Sequence, residues 1–193
     1  MFDVARFVDD CRSAFAADPS HGAVAPLLAR AVENPAAVLK ALGEPRRAEG
    51  VPLHRGDDIT IVNIAWGPRM VFMPHNHRTW ALIGIYTGRE DNIFWRRVSG
   101  DSNGKIKAVS AKSIATGEHA TLAADVIHSV TNPTPRLTGA IHIYGGDFLS
   151  AKRSEWDPEA LTERAFDMDA SIAYFESVNR ALDPQKAADQ PSP

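Results

Sequence analysis

The sequence predicts a mainly β barrel or sandwich flanked by helices. From about residue 50 onward, short apolar runs rich in Val, Ile, Thr, Trp and Tyr recur at close intervals, at 59–66, 69–73, 79–86, 92–98, 105–109, 120–122, 126–131 and 137–144. Clusters of Gly, Pro, Asn and Asp separate them, and many short strands with regular turns make such folds. Before residue 50 and after residue 156 the apolar residues take helical spacing instead. A chain of 193 residues most simply forms one domain with a sizeable core.

The elements follow in order. Residues 2–17 place Phe2, Val4, Phe7, Val8, Cys11 and Phe15 at helical spacing, and Asp18-Pro19-Ser20 breaks the pattern. Residues 23–42 read as two short helices split near Asn34-Pro35, where proline favours a helix start. Gly43 and Pro45 close this N-terminal helical segment, 1–48. The barrel then spans 50–148, with Asp101-Ser102-Asn103-Gly104 as a hairpin tip. Trp156-Asp157-Pro158-Glu159 reads as a helix start, with Asp157 as N-cap and Pro158 at N1. The helical extension is thus expected over 157–182, with a second helix at about 168–182. The polar stretch 183–193 reads as a disordered tail.

Composition excludes several classes. The net charge of −3 advertises no nucleic-acid surface. No stretch approaches the ~20 apolar residues of a membrane span, and the N-terminus lacks the basic-then-apolar pattern of a secretory signal. The expected location is the cytoplasm. The single cysteine, Cys11, excludes an intrachain disulfide framework and a cysteine-based zinc site. Its place in a helical pattern suggests a buried small residue.

Chemistry concentrates in Val71–Gly88. His75 and His77 lie two apart in a β-favouring run, so a strand would point both imidazoles to one face. Pro74, which cannot donate to a ladder, suits a strand edge or start. Two neutral nitrogens converging on a point begin a transition-metal site. Alone, the pair reads as two histidines on a solvated face. His128, in the run 126–131, supplies a third nitrogen from another strand, and three protein ligands leave coordination positions open for catalysis. In Ala140-Ile141-His142-Ile143-Tyr144, alternation puts His142 and Tyr144 on one face. They could form a proton relay beside a metal or a buried structural hydrogen bond. Arg55 precedes the first strong strand. A guanidinium fork binds carboxylates, although a surface salt bridge to Asp57 or Asp58 is the simpler local reading. Glu90 reads as a solvated turn carboxylate, and Trp80 as a packing residue that could wall a pocket. His21, His54 and His119 receive no metal role.

With these residues in view, the chain resembles the cupin superfamily. His75-x-His77, Gly88 and the His128-x3-Asn132 spacing are similar to its two motifs. Ala81 and Leu82 stand where the first motif usually carries a glutamate. A three-histidine site is similar to that of the cysteine dioxygenase-like thiol dioxygenases. Trp66-Gly67 lies ahead of His75 as in that family. Leu53-His54-Arg55-Gly56 resembles its carboxylate-binding arginine segment, and Ile141-His142-Ile143-Tyr144 its Ser-x-His-x-Tyr stretch. The serine of that stretch is Ala140 here. No cysteine is available near Leu82 to cross-link the tyrosine.

The resemblance implies a double-stranded β-helix, the RmlC-like jelly-roll barrel, with N-terminal helices and a C-terminal helical extension. It implies Fe(II) on His75, His77 and His128, with nickel or zinc as replacements in purified protein. It further implies O2 and a small thiol carboxylate, such as 3-mercaptopropionate or cysteine, as partners. Arg55 would hold the carboxylate, and Tyr144, positioned by His142, would act in catalysis. A monomer or homodimer is expected. The alternatives are a three-histidine dioxygenase acting on a diketone, which would need no carboxylate clamp, and a metal-binding sensor.

Overall fold

The computed structural model describes residues 1–183; the predicted tail beyond Asp183 lies outside the described residues. Three helices lead the chain, α1 (Val4–Ala17), α2 (His21–Val32) and α3 (Pro35–Leu42). Asp3 caps α1 by accepting from Arg6 N, and Asn34 caps α3 with Pro35 in its first turn, so the break near Asn34-Pro35 falls where the sequence places it. No helix among the described residues is long and apolar enough to cross a membrane.

Eleven strands follow: β1 (Glu49–Arg55), β2 (Ile59–Trp66), β3 (Val71–Asn76), β4 (Ala81–Thr87), β5 (Arg89–Arg97), β6 (Ile106–Ala115), β7 (His119–Leu122), β8 (Ile127–Thr131), β9 (Thr138–Gly145), β10 (Ser154–Trp156) and β11 (Glu163–Ala165). A last helix, α4, spans Met168–Leu182. One sheet runs β1-β2-β9-β4-β7 and the other β11-β10-β3-β8-β5-β6. All the strand pairings are antiparallel. From β2 to β9 the chain passes back and forth between the two sheets, which is the jelly-roll arrangement of a double-stranded β-helix.

The five-stranded sheet is buried on both faces. Ile59, Ile61, Leu82, Ile141 and Ile143 point outward and pack under the helices with Leu28, Val32 and Cys11. Val62, Ala81, Ile83, Ala140 and Tyr144 point into the barrel. This explains why β4 and β9 read as nearly continuous apolar runs rather than alternating ones. Cys11 is fully buried, and burial pushes its thiol pKa up to about 12, which fits an inert packing role. Trp80 packs among the N-terminal helices against Phe15 and His21.

Several boundaries differ from the sequence reading, two of them by a whole element. β1 forms at 49–55, a stretch with too few apolar residues to stand out. No helix starts at Asp157. Its carboxylate does cap the N–H groups of Glu159 and Ala160, but they belong to the turn of a β10–β11 hairpin. Leu161 takes a positive φ of 54° there, which a continuing helix forbids. The helical part of the extension is therefore α4 alone, with Asp167 as its N-cap.

Gly88 joins β4 to β5 with φ of +82°, and a Cβ there would collide with Thr138. Both constraints apply to the same residue, so Gly88→Ala should cost about 1–3 kcal/mol of stability in urea unfolding. An unchanged midpoint would show that the turn relaxes freely.

Candidate metal site and cavity

His75 lies on β3 and its register partner on β8 is His128. Between Phe72 and His75 the β3–β8 register slips by a bulge, at the place where Pro74 has no N–H to give. His77 follows just after the strand. All three imidazoles are buried, and one nitrogen of each lies within 4.8 Å of the others. His77 Nε2 is 3.2 Å from His75 Nε2 and 3.1 Å from His128 Nε2.

The outer nitrogens fix the tautomers. His75 Nδ1 donates to the Met73 carbonyl at 2.9 Å. His128 Nδ1 donates to Asn92 Oδ1 at 2.7 Å, and Asn92 Nδ2 donates in turn to Glu90 Oε1 at 3.0 Å. Each neutral ring therefore turns a bare Nε2 lone pair inward. A proton on His77 Nε2 could serve one neighbour and would leave the other facing it lone pair to lone pair. A cation resolves all three at once. Nitrogens held at ~2.1 Å on adjacent metal positions lie roughly 3.0–3.4 Å apart, which matches the two separations from His77. Burial lowers the pKa of His75 to about 4. Burial, joined by the other histidines of the cluster, holds His77 and His128 well below the ordinary value. The rings are thus kept in the neutral form that ligates metals.

Beside this cluster runs a second chain of contacts. Tyr144 Oη lies 3.0 Å from His142 Nδ1, as alternation along β9 predicts. His142 Nε2 lies 3.4 Å from Glu90 Oε2, in poor alignment for a hydrogen bond and with no better partner. Glu90 is 0% exposed, which corrects its reading as a solvated turn residue. Its Oε2 also accepts from Trp66 Nε1 at 2.7 Å. Burial favours its protonated form, but the contacts with His142, Asn92 and Trp66 outweigh burial and lower its pKa. Glu90 is thus the acidic group beside His142, and Ala140 on the same strand offers that ring no hydrogen-bonding group.

A cavity of about 370 Å³ opens onto the cluster, with His75, Tyr144 and Arg153 in its lining. Arg153 is 9% exposed. Its guanidinium carbon lies 4.2 Å from the Phe148 ring centre and 3.8 Å from that of Phe166. Its Nη1 donates to the Phe148 carbonyl at 3.1 Å, while its buried Nε has no partner. Burial lowers its pKa to about 10, so it remains a cation at neutral pH. Phe148 in turn stacks on Tyr144 with ring centres 3.7 Å apart.

Arg55 is not among the residues that line this cavity. Its side chain is 51% exposed and forms a bidentate pair with Asp147, both contacts at 2.9 Å, with Ser150 as a further acceptor. The salt-bridge reading of Arg55 is right in kind but names the wrong acid, since Asp147 comes close only when β9 folds beside β2. Arg153 and Phe148 escaped notice because they follow the last strong strand. Glu90 has a local signal: Glu90 and Asn92 share one face of β5, which begins three residues before the apolar run at 92–98.

No family model matches the chain. The chain is similar to an RmlC-like cupin family protein with a double-stranded β-helix fold from Methanocaldococcus jannaschii, at 10% identity and a TM-score of 0.45, over 56% of this chain and 91% of that one. It is similar to a cupin superfamily protein from Desulfitobacterium hafniense, at 15% identity and a TM-score of 0.43, over 55% of this chain and 85% of that one. It is also similar to the DMSP lyase DddQ from Ruegeria pomeroyi, at 16% identity and a TM-score of 0.44, over 58% of this chain and 53% of that one.

Two outcomes are expected of this site. Glu90→Gln removes the charge behind Asn92 and should weaken metal binding by roughly 10–100-fold, read by chelator competition; an unchanged affinity would reduce Glu90 to a partner for Trp66. In metal-free protein, unfolded histidines take up protons near 6.5, whereas His75 resists until about 4. The unfolded state thus binds more protons inside that window, and stability present above it is lost as pH falls through it. Thermal melts from pH 7 to 4 should show this loss, and His75→Gln should reduce it, with the share of His77 and His128 remaining.

Proposed function

We propose that the protein is an Fe(II)-dependent dioxygenase that converts a thiol carboxylate to its sulfinate. The observation that carries this reading is that a metal-ligand candidate, His75, a hydroxyl, Tyr144, and a buried cation, Arg153, line one cavity. Three neutral ligands leave a bound metal its full charge, which favours an anionic sulfur donor. Ferrous iron on His75, His77 and His128 would supply the redox chemistry by which both atoms of O2 pass to the sulfur of a thiol, giving the sulfinic acid.

The remaining work falls to side chains. Arg153 replaces Arg55 as the carboxylate partner: it is held between two rings, desolvated, and has N–H groups to give. Burial raises the pKa of Tyr144, so its hydroxyl stays protonated. His142 Nδ1, 3.0 Å from Tyr144 Oη, holds that hydroxyl at the cavity wall, where it can hydrogen-bond a guest. Phe72, Phe148 and Phe166 keep water from the reacting atoms. A cation in the cavity favours an acid over a neutral diketone.

Oxygen uptake by iron-loaded protein with a panel of thiols, with the sulfinate identified by mass, tests the reading. Arg153→Ala should cost roughly 10–100-fold in kcat/KM for thiol acids and much less for cysteamine, whereas Arg55→Ala should change both little. Tyr144→Phe should retain iron and slow turnover by about 10–100-fold. No uptake with any thiol would overturn the reading and leave a metal-binding protein of another kind.

A further inference from the structure

The cavity is built for more than a three-carbon acid. Cavities of ~300–1,000 Å³ enclose drug-sized ligands, and this one measures about 370 Å³. Its walls are Phe72, Leu149, Phe166, Ile172 and Phe175, supplied by β3, the stretch after β9 and one side of α4. A short thiol acid would leave those walls facing empty space or water, and either forfeits packing contacts.

The polar groups select as well. Arg153 is the buried charge among the lining residues, and its Nε lacks a partner. The carboxylates that line the cavity, Glu49 and Glu176, are half-exposed, each paired with Arg47. The buried Glu155 is not among the lining residues and is held by Arg164, so an ammonium enclosed in the cavity would lack a direct counter-charge, which is costly. An α-amino acid such as cysteine is therefore a poor fit.

We infer that the site takes a monocarboxylate without an ammonium group and with an aryl-sized apolar body, the acid on Arg153 and the body against α4. This narrows the proposed substrate to an apolar thiol acid, and so rests on the thiol dioxygenase reading for the thiol alone. The shape and charge selection can be measured without turnover. Isothermal titration of metal-free and metal-loaded protein would compare 4-phenylbutyrate with butyrate, and 3-phenylpropionate with L-phenylalanine.

The phenyl group should tighten binding by roughly 10–100-fold, and the ammonium of phenylalanine should weaken it by a similar factor. Ile172 is 55% exposed on α4, so Ile172→Asn should fold normally. It should narrow the gap between phenylbutyrate and butyrate by weakening the aryl acid the more. Equal binding of the two acids, or a gap untouched by Ile172→Asn, would overturn the inference even if 3-mercaptopropionate were oxidised. Selective binding of the aryl acids without oxygen uptake on any aryl or alkyl thiol acid would uphold it and remove the dioxygenase reading instead.

Discussion

One buried carboxylate joins the two halves of the site. Glu90 has no exposed surface, and an isolated charge in that position would be expelled or neutralised. It persists because three groups converge on it, Trp66 Nε1, Asn92 Nδ2 and His142 Nε2. Through Asn92 it orients His128; through His142 it reaches Tyr144. A dication among three neutral imidazoles would place the compensating positive charge two links away. The histidine cluster and the Tyr144 branch then share one electrostatic balance, because both meet at the same carboxylate.

The barrel supplies what that balance requires. Partnership of His75 with His128 across β3 and β8 brings two rings together by register alone. The helices over the outer face of the five-stranded sheet exclude water from β4 and β9, so the interior can hold Glu90, His142 and Tyr144 away from solvent. Depressed histidine pKa values follow from that enclosure. The same burial that would penalise an imidazolium prepares the lone pair for a metal.

How far the sequence was legible follows from the range of each signal. His75, His77, His142 and Tyr144 were legible because strand alternation is a local rule with a period of two. The β2, β4 and β9 runs stood out because double-sided burial made them apolar throughout. Glu90 obeys the same alternation, but its neighbours Arg89 and Asp91 pair with one another on the outer face and gave the segment the look of a solvated turn. Asp157 carried a true capping signal that a hairpin turn uses equally well. Arg55 and Arg153 could not be told apart from sequence, because the difference lies in which arginine meets an acid in the fold. Asp147 neutralises the first; rings and a carbonyl enclose the second.

The order of these residues along the chain separates two kinds of change. The three histidines and Glu90 all lie from β3 to β8, inside the barrel, whereas Phe148, Arg153, Phe166 and the α4 wall come after β9. The pairing of Glu155 with His75, the Ser154 N–H to Asn76 Oδ1 and the Trp156 Nε1–H to the Gly104 carbonyl stitch β10 to the barrel. A substitution after β9 can therefore reshape one side of the pocket, the side of Phe148, Leu149, Phe166 and α4, without touching the three histidines or Glu90.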